Sequence, residues 1–590
     1  MSTTVRFVPP GVGAIREYRR SWLVKDLVAG AVLTALLVPQ GMAYAELAGL
    51  PPITGLYTTI TCLLGYAVFG PSRILVLGPD SSLGPMIAAT ILPLVVAGGD
   101  PERAVALASM LALMVAVIMI AAGIAGLGFV ADLLSKPTMI GYMNGLALTI
   151  LVGQLPKLFG FSVDADGLVG EVVGFARGVA QGEVVPAAAA VGLGGIGLIL
   201  VLRRWPRVPA VLVMVVLAIA VSIAFRLGER GVSLVGVLPE GFPPLTIPAV
   251  GWSDLGLLLA GAFAIALVSL ADTISTASAF AERTGQEVRG NQEMIGIGAA
   301  NLAAGLFQGF PVSTSASRTA VAERAGARSQ LTGVTGAALI IVMILLLPGL
   351  FRDLPQSALA AVVITASLSL ADLPGTARLW HQRRVEFSLS LVAFAGVALL
   401  GVLPGIAIAV GLSILNVFRR AWRPYTTVLG RTEGLPGYHS VRSYPEAEQL
   451  PGLVVYRFDA PLFFANARTF RDEVTAIART EPAPRWIVIA AEPVTDVDTT
   501  AADVLLDLDR ALDERGQTLA FAELKDPVRR KIDRCGLTRA IEPQHLFPTV
   551  EAAVEAYRQQ TGATWGGGGA ARAGTVPGPR SSPAPTRQPE

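Results

Sequence analysis

Two charged side chains lie inside stretches of sequence that are otherwise apolar. Arg318 follows a run of hydroxyl residues, and Asp272 has Thr276 one helical turn further along the chain. An ionisable group in such a segment is costly unless it faces a cavity or a partner. Arginine among hydroxyl groups suits an anion, unless Arg318 extends outward to the nearer surface. The carboxyl group of Asp272 suits a counter-charge for Arg318, a coupling site for a proton or cation, or a structural ion pair.

Two short apolar segments begin with a break of glycine and proline followed by hydroxyl residues. One break covers Gly78–Ser82 and the other covers Gly309–Arg318. Broken helices in matching positions of two halves point to a binding site, because free amide groups and the positive ends of helix dipoles can receive an anion. The alternative is that Pro and Gly only kink ordinary helices. Asp80 follows the first break and either caps the helix or contributes to the site.

The elements that must position these residues are membrane helices. The chain has 590 residues, of which 53% are hydrophobic and 15% charged, with a mean hydropathy of +0.59, a composition typical of integral membrane proteins. Many of the apolar segments approach the ~20 residues that a spanning helix needs. They cover 23–45, 52–70, 79–98, 103–126, 133–157, 184–202, 208–226, 254–280, 291–308, 313–325, 330–350, 356–371, 385–402 and 404–418.

About fourteen spans place both termini on one side of the membrane. Basic loops such as Arg203–Arg204 and Arg383–Arg384 fall on the side of the N-terminus, and acidic residues such as Asp100 and Glu102 fall on the other. The positive-inside rule therefore predicts cytoplasmic termini in the cell membrane. The basic residues form no single stripe, which argues against a nucleic-acid partner.

The C-terminal part has a different pattern, in which strand and helix signals alternate. This alternation predicts a small α/β domain. Strands are expected at Leu453–Phe458, Trp486–Ala491 and Thr518–Phe521, and helices at Ala465–Ile477, Thr499–Asp513 and Val550–Tyr557. Asp498 or Thr499 is interpreted as a helix N-cap, with phosphorylation of the hydroxyl residues as the alternative. The Gly, Pro and Ser-rich sequence after residue 562 predicts a disordered tail.

Several of these sequences resemble the sulfate permease family (SulP, solute carrier family 26). The matching stretches are Val38–Ala45, Leu50–Tyr57, Gly70–Arg73, Gly78–Pro79 and Ser317–Val321. The resemblance implies seven-plus-seven inverted repeats that form a core and a gate domain, followed by a cytoplasmic STAS domain. It also implies an anion held between the third and tenth helices, near Gln40 and Tyr44. Proton-coupled relatives usually carry Glu at the position of Asp272, and Asp272 with Thr276 resembles the sodium-coupled bicarbonate members.

The sequence thus predicts a polytopic α-helical membrane protein with about fourteen helices in two inverted halves. The expected domains are a cytoplasmic segment 1–22, a transport domain 23–420, a STAS domain 421–562 and a tail 563–590. The expected substrate-binding residues are Gln40, Tyr44, Asp80, Ser81, Ser317 and Arg318, and the expected coupling residues are Asp272 and Thr276.

The expected function is secondary active transport of a small inorganic anion, most of all sulfate, coupled to a proton or sodium. Bicarbonate or dicarboxylate symport on the same fold is the first alternative. Nucleobase–cation symport and a membrane-anchored STAS signalling protein are the others. No enzyme motif, metal ligand set or cofactor site is recognised in the sequence. The expected partners are the small anion, the membrane lipid and a second copy of the chain in a homodimer.

Overall fold

The computed structural model divides after Ile414 into two compact units. It describes residues 10–11, 13, 18–95, 100–128, 135–163, 165, 167–205, 208–239, 241–284, 288–347, 349–536 and 543–565, with the side chains of 282–284 and 420 left aside. Most of the predicted N-terminal segment 1–22 and of the predicted tail 563–590 lies outside these residues. Those two expectations therefore stay predictions.

The first unit is built from helices, and each of the fourteen predicted segments contains one. They are α1 (Leu23–Leu47), α2 (Pro52–Phe69), α3 (Gly84–Ile91), α4 (Pro101–Ile124), α5 (Lys136–Phe159), α6 (Gly167–Gln181), α7 (Pro186–Leu202), α8 (Ala210–Phe225), α9 (Leu255–Thr284), α10 (Gly290–Leu306), α11 (Ala316–Arg324), α12 (Leu331–Leu346), α13 (Gln356–Leu370), α14 (Leu373–Gln382), α15 (Arg384–Leu400) and α16 (Val402–Trp422). The helices α6 and α14 were not predicted. Helix α16 continues into the second unit.

Seven helical stretches among the described residues are long and apolar enough to cross a bilayer, and four shorter apolar helices accompany them. Many side chains of the longer helices are apolar and exposed, for example Val117, Ile124 and Leu415. Exposed apolar side chains on long helices are expected where lipid replaces water as the solvent. The prediction of a polytopic helical membrane protein is confirmed.

The two broken segments meet inside the first unit. Strand β1 (Leu77–Gly78) precedes α3, and strand β2 (Ser313–Thr314) precedes α11. The strands pair antiparallel, with Leu77 opposite Thr314 and Gly78 opposite Ser313. Equivalent strands that pair antiparallel are related by a two-fold rotation, as two halves of opposite orientation require. The inverted arrangement predicted from the sequence is therefore present at the crossing of α3 and α11.

An acidic residue also lies at the beginning of the first helix of each half. In α1, buried Asp26 accepts hydrogen bonds from Arg328 N at 2.6 Å and Ser329 Oγ at 2.7 Å. Before α9, Asp254 pairs with Arg103, whose Nη2 lies 3.0 Å from Asp254 Oδ2. Both carboxylates link the first helix of a half to residues near the start of another helix.

The second unit contains a six-stranded mixed sheet in the order β4-β3-β5-β6-β7-β8. Strands β5 to β8 are parallel, whereas β3 pairs antiparallel with both β4 and β5. The elements are β3 (Thr426–Arg431), β4 (Tyr438–Ser440), β5 (Leu453–Phe458), α17 (Ala467–Ala478), β6 (Trp486–Ala490), α18 (Thr499–Asp513), β7 (Thr518–Ala522), α19 (Asp526–Arg534), β8 (Leu546–Phe547) and α20 (Val550–Thr561).

Helices cover both faces of this sheet. Apolar residues of α17, α18 and α19, such as Phe470, Leu505 and Ile532, pack on one face. Residues of α20, including Val554 and Tyr557, pack on the other. Because β6 lies between covered faces, all five of its residues are buried. The alternation predicted from Leu453 onward is confirmed, and β3, β4, α19 and β8 are additions to it.

Candidate functional site

Helix α11 turns the side chain of Arg318 into the protein interior. Ser315 is the N-cap residue, so that Arg318 is the third residue of the helix. The backbone carbonyl of Ser315 accepts from Thr319 N at 2.9 Å, and Thr319 Oγ1 accepts from Val76 N at 3.1 Å. These bonds fix the first turn of α11 against the chain leading into β1. Arg318 is 1% exposed and is among the largest fully buried side chains among the described residues.

The guanidinium group of Arg318 binds the broken segment before α3. Its Nη1 donates to Pro79 O at 2.5 Å, and its Nη2 lies 3.2 Å from Asp80 Oδ2. The counter-charge of Arg318 is therefore Asp80, and the interpretation of Asp272 as that partner is wrong. The alternative in which Arg318 extends outward is also wrong, because its side chain is enclosed.

Gly78 lies directly against this contact. A Cβ atom at Gly78 would lie 2.8 Å from Arg318 Nη1, which is closer than two unbonded atoms of this kind approach. The glycine in the predicted break therefore leaves the space that the guanidinium group fills.

Asp80 forms a turn in front of α3. Its Oδ1 accepts from Ser82 N at 3.0 Å and from Ser82 Oγ at 2.8 Å. The N-cap residue of α3 is Leu83, and no side-chain hydrogen bond caps this helix. Asp80 therefore caps the turn that leads into α3, and it is not the N-cap residue of the helix itself. It orders the turn with one oxygen and pairs with Arg318 through the other.

Helix α9 brings Asp272 to the same place. Asp272 Oδ2 lies 3.3 Å from Ser82 Oγ. The helix is tied to the β2 segment, because Ser269 Oγ donates to Val312 O at 3.1 Å and Thr314 Oγ1 donates to Thr273 Oγ1 at 3.1 Å. Thr276 lies one turn beyond Asp272 and is buried. Residues of α3, α9 and α11 thus converge around two carboxyl groups and one guanidinium group.

The remaining predicted residues lie around this cluster at different depths. Tyr44 of α1 is buried, with its hydroxyl beside Ser81 and within electrostatic range of Asp80 and Arg318. Gln40 is half-buried one turn earlier on α1. Ser317 is exposed, and its Oγ lies 3.0 Å from Ser315 Oγ. The structure thus brings Tyr44 and Ser81 to the charged cluster, whereas Ser317 is exposed.

The start of α11 offers free amide groups at this point, whereas at the start of α3 Leu83 N and Gly84 N both donate to Asp80 O at 3.2 Å and Pro85 has no N–H. Neither α3 nor α11 has a side-chain hydrogen bond at its N-cap, although Ser315 carries a hydroxyl that could form one. The first amide groups of a helix have no partner within the helix, and its positive end attracts an anion. Among the described residues, no group of three or more His, Cys, Asp or Glu side chains is placed to hold a metal ion.

Three residues of the site were missed by sequence reasoning. Ser82 contacts both carboxyl groups, and Asn301 holds the approach to β2 by accepting from Val312 N at 3.0 Å. Tyr142 of α5 is buried within electrostatic range of Asp272, and its hydroxyl has no hydrogen-bond partner. A second hydroxyl directly after Ser81 was a signal for Ser82. Asn301 and Tyr142 gave none, because polar residues are common in membrane helices that pack together.

The loop before α18 in the second unit is a second candidate site. Asp498 accepts from Ala501 N at 2.7 Å and is the N-cap of α18, as predicted. Thr499 and Thr500 are exposed, and their phosphorylation stays a prediction. Nearby, Lys531 Nζ lies 2.5 Å from Asp496 Oδ1, and this hydrogen bond lowers the pKa of Asp496.

Comparison with known sequences identifies the family. Residues 23–393 match the sulfate permease family, and residues 444–553 match the STAS domain. The chain belongs to the sulfate permease family. Its members are transporters, so this protein is a transporter and not an enzyme. It is a multi-pass membrane protein with a C-terminal STAS domain.

The chain is similar to bacterial and plant proteins over most of its length. A probable sulfate transporter of Mycobacterium tuberculosis is 41% identical over 553 residues, covering 93% of this chain and 98% of that protein. Probable sulfate transporter 3.3 of Arabidopsis thaliana is 30% identical over 565 residues, and the match covers 91% of this chain and 89% of that protein.

Solved structures share the fold. The murine solute carrier 26 family member A9 anion transporter in the inward-facing state has a TM-score of 0.86 at 24% identity, covering 95% of this chain and 96% of that one. The transmembrane domain of a cyanobacterium bicarbonate transporter has a TM-score of 0.58 at 22% identity, covering 67% of this chain and 98% of that one. At these identities, the likeness concerns the fold alone.

Proposed function

We propose that this protein is a secondary active transporter of sulfate, coupled to a proton or sodium. One observation carries the proposal: the buried cation Arg318 lies where two half-helices without side-chain caps meet. An arginine enclosed at that depth needs a functional reason. The bacterial and plant relatives that cover almost the whole chain are named as sulfate transporters, which favours sulfate among the small anions.

In the proposed site, the charge of the anion is balanced by the two helix N-termini and by Arg318. Ser81 and Ser317 donate hydrogen bonds from the two half-helices, and Gln40 and Tyr44 do so from α1. Asp80 offsets part of the charge of Arg318, so that the guanidinium group attracts an anion without holding it permanently. Such a balance suits transport, because a transported anion must also leave.

Asp272 and Thr276 supply the proposed coupling site. A carboxyl group at this depth can take up a proton or help to hold a sodium ion, which reduces the net charge that crosses the membrane with the anion. Both termini are proposed to lie in the cytoplasm, and the protein is proposed to act as a homodimer.

Bicarbonate or dicarboxylate symport is the second candidate. The pairing of Asp272 with Thr276 one turn later on α9 favours it, because a carboxylate and a hydroxyl on one face of a helix can both bind sodium. Nucleobase–cation symport and a signalling role without transport find less support. Neither explains why a buried arginine lies at the crossing of the half-helices.

The proposal is tested by transport into proteoliposomes that contain the purified full-length protein. Uptake of labelled sulfate, bicarbonate and succinate is measured with an imposed pH gradient, with an imposed sodium gradient and with neither. We expect sulfate to accumulate faster than the other two, and only when one of the gradients is present. Faster uptake of bicarbonate or succinate would show that this anion, and not sulfate, is the preferred substrate. Uptake of none of the three would reject the proposed function.

A further inference from the structure

Ser82 lies between the two carboxyl groups of the site. Its Oγ is 2.8 Å from Asp80 Oδ1 and 3.3 Å from Asp272 Oδ2. Ser82 is 1% exposed, so water has little access to this hydroxyl. The three residues therefore form a short chain of carboxyl, hydroxyl and carboxyl groups that joins α3 to α9.

A serine hydroxyl has one proton and donates one hydrogen bond. If both carboxyl groups are ionised, the hydroxyl satisfies one of them and turns its lone pairs toward the other. If Asp272 carries a proton, it donates to Ser82 Oγ while Ser82 donates to Asp80, and both contacts are hydrogen bonds. The observed geometry therefore has a complete set of donors only with one added proton.

The charges of the neighbouring groups lead to the same requirement. Arg318 of α11 pairs with Asp80, and Tyr44 of α1 and Tyr142 of α5 face Asp80 and Asp272 with uncharged hydroxyl groups. Arg203 lies within electrostatic range of Tyr44, and the buried thiol of Cys62 on α2 lies within electrostatic range of Arg318. With both carboxyl groups ionised, one cation faces two anions, and an entering dianion meets a net negative site. One proton makes the three charged side chains neutral together.

We infer that Asp80, Ser82 and Asp272 share one proton that binds with the transported anion and leaves with it, and that Ser82 is the positioning residue of this unit. The proton comes from the aqueous solution on the side to which the site is open, and it forms an O–H bond with the carboxylate of Asp272. When the site opens to the other side, this bond breaks and the proton returns to water. The inference rests on the proposed function and selects the proton from its two coupling ions.

The test compares the pH dependence of sulfate uptake in proteoliposomes for the full-length protein and three variants. Ser82→Ala removes the bridging hydroxyl, and Ser82→Thr keeps one. Thr90→Val is the matched control, because Thr90 is a buried residue of the same half-helix whose hydroxyl donates to Met86 O of its own helix at 2.7 Å. Size-exclusion profiles in detergent check that each variant is folded.

Ser82→Ala removes the acceptor for the proton on Asp272, and the midpoint of the pH profile should move toward acid. A shift of ~1 pH unit corresponds to a roughly tenfold loss of uptake near neutral pH that acid restores. Ser82→Thr and Thr90→Val should keep the midpoint of the unaltered protein. A purely structural role of Ser82 would lower the rate at every pH and leave the midpoint in place, which would overturn the inference.

Proton movement gives a second readout. A pH-sensitive dye inside the vesicles should report protons that enter with sulfate, and Asp80→Asn should lower the number of protons moved per sulfate. Sulfate uptake that follows a sodium gradient and carries no protons would overturn the inference and leave the proposed function standing. Absence of sulfate uptake under every gradient would instead reject the proposed function, and the inference with it.

Discussion

The two half-helices at the centre of the membrane unit have similar backbones and opposite charges. Each follows a two-residue strand, and the two strands pair with each other. The half that contains α3 contributes the anion Asp80, whereas the half that contains α11 contributes the cation Arg318. The difference shows that the inverted repeat supplies a symmetric frame, while the charges that a substrate meets are set separately in each half.

The support of the two strands is unequal as well. The backbone before β1 is held from the other half, because Val76 N donates to Thr319 Oγ1 at 3.1 Å. The backbone before β2 is held from both halves, because Val312 N donates to Asn301 Oδ1 at 3.0 Å and Phe310 N donates to Thr58 Oγ1 of α2 at 3.1 Å. Thr319 and Arg318 are neighbours on α11, so the first half depends on α11 both for its position and for its charge balance.

Arg318→Ala is expected to have the largest effect. It removes the cationic partner of Asp80, whose side chain is 13% exposed, and breaking a largely buried pair costs about 3–5 kcal/mol of folding stability. It also removes the cation of the proposed site, so sulfate uptake should fall to background. Unfolding in detergent and uptake in proteoliposomes measure the two effects.

The double variant Arg318→Ala with Asp80→Asn separates these effects. It removes both charges and should recover most of the stability without recovering uptake. Recovery of uptake would show that Arg318 serves only as the partner of Asp80 and has no role in binding the anion.

Gly78 and Ser313 occupy opposite positions in the β1–β2 pair and should differ in their tolerance of alanine. The Cβ atom of Gly78→Ala meets the guanidinium group of Arg318, and overpacking of this kind costs about 1–3 kcal/mol. Ser313→Ala removes a buried hydroxyl that has no hydrogen-bond partner and should leave stability almost unchanged. Equal losses in thermal unfolding would contradict the position of Arg318.

Asn301→Leu and Thr319→Val compare the two supports. Each leaves a buried backbone N–H without its acceptor, a loss of about 1–3 kcal/mol. Only Thr319→Val should also raise the KM for sulfate, because it releases the turn that carries Arg318. Thermal unfolding and uptake kinetics of both variants test this, and an equal rise of KM in both would remove the distinction between the halves.

Asp498→Ala should have a small effect that is confined to stability. Asp498 is the N-cap of α18, and loss of such a cap costs about 1 kcal/mol. The half-helices α3 and α11 have no such side-chain cap. Asp498→Ala gives α18 an uncapped N-terminus as well, at a place where no anion is expected to bind. The KM for sulfate should stay unchanged, and a changed KM would assign the STAS loop a direct role in transport.

Hydropathy was enough to predict the membrane helices, because about 20 apolar residues have few stable alternatives to a spanning helix. The paired Gly/Pro breaks predicted where α3 and α11 meet. Hydropathy did not predict the helices α6 and α14. Glycine interrupts the apolar pattern of α6, and α14 is a short polar continuation after α13.

The partner of Arg318 could not be predicted, because Asp80 is 238 residues away in sequence. Asp272 and Asp80 both lie in segments that approach α11, and residue type does not distinguish them. The role of Ser82 depends on an atomic contact between α3 and α9, which no spacing within either segment indicates. Sequence reasoning found most of the site residues, and the structure supplied their pairing.

The two-stranded ladder consists of backbone hydrogen bonds and so depends little on which side chains its neighbours carry. Substitutions at Asp80, Ser81 and Ser317 can therefore alter the chemistry presented to a substrate while the crossing of the half-helices stays in place. Such a scaffold allows its selectivity to drift through evolution, and it offers a starting point for engineering selectivity for other anions.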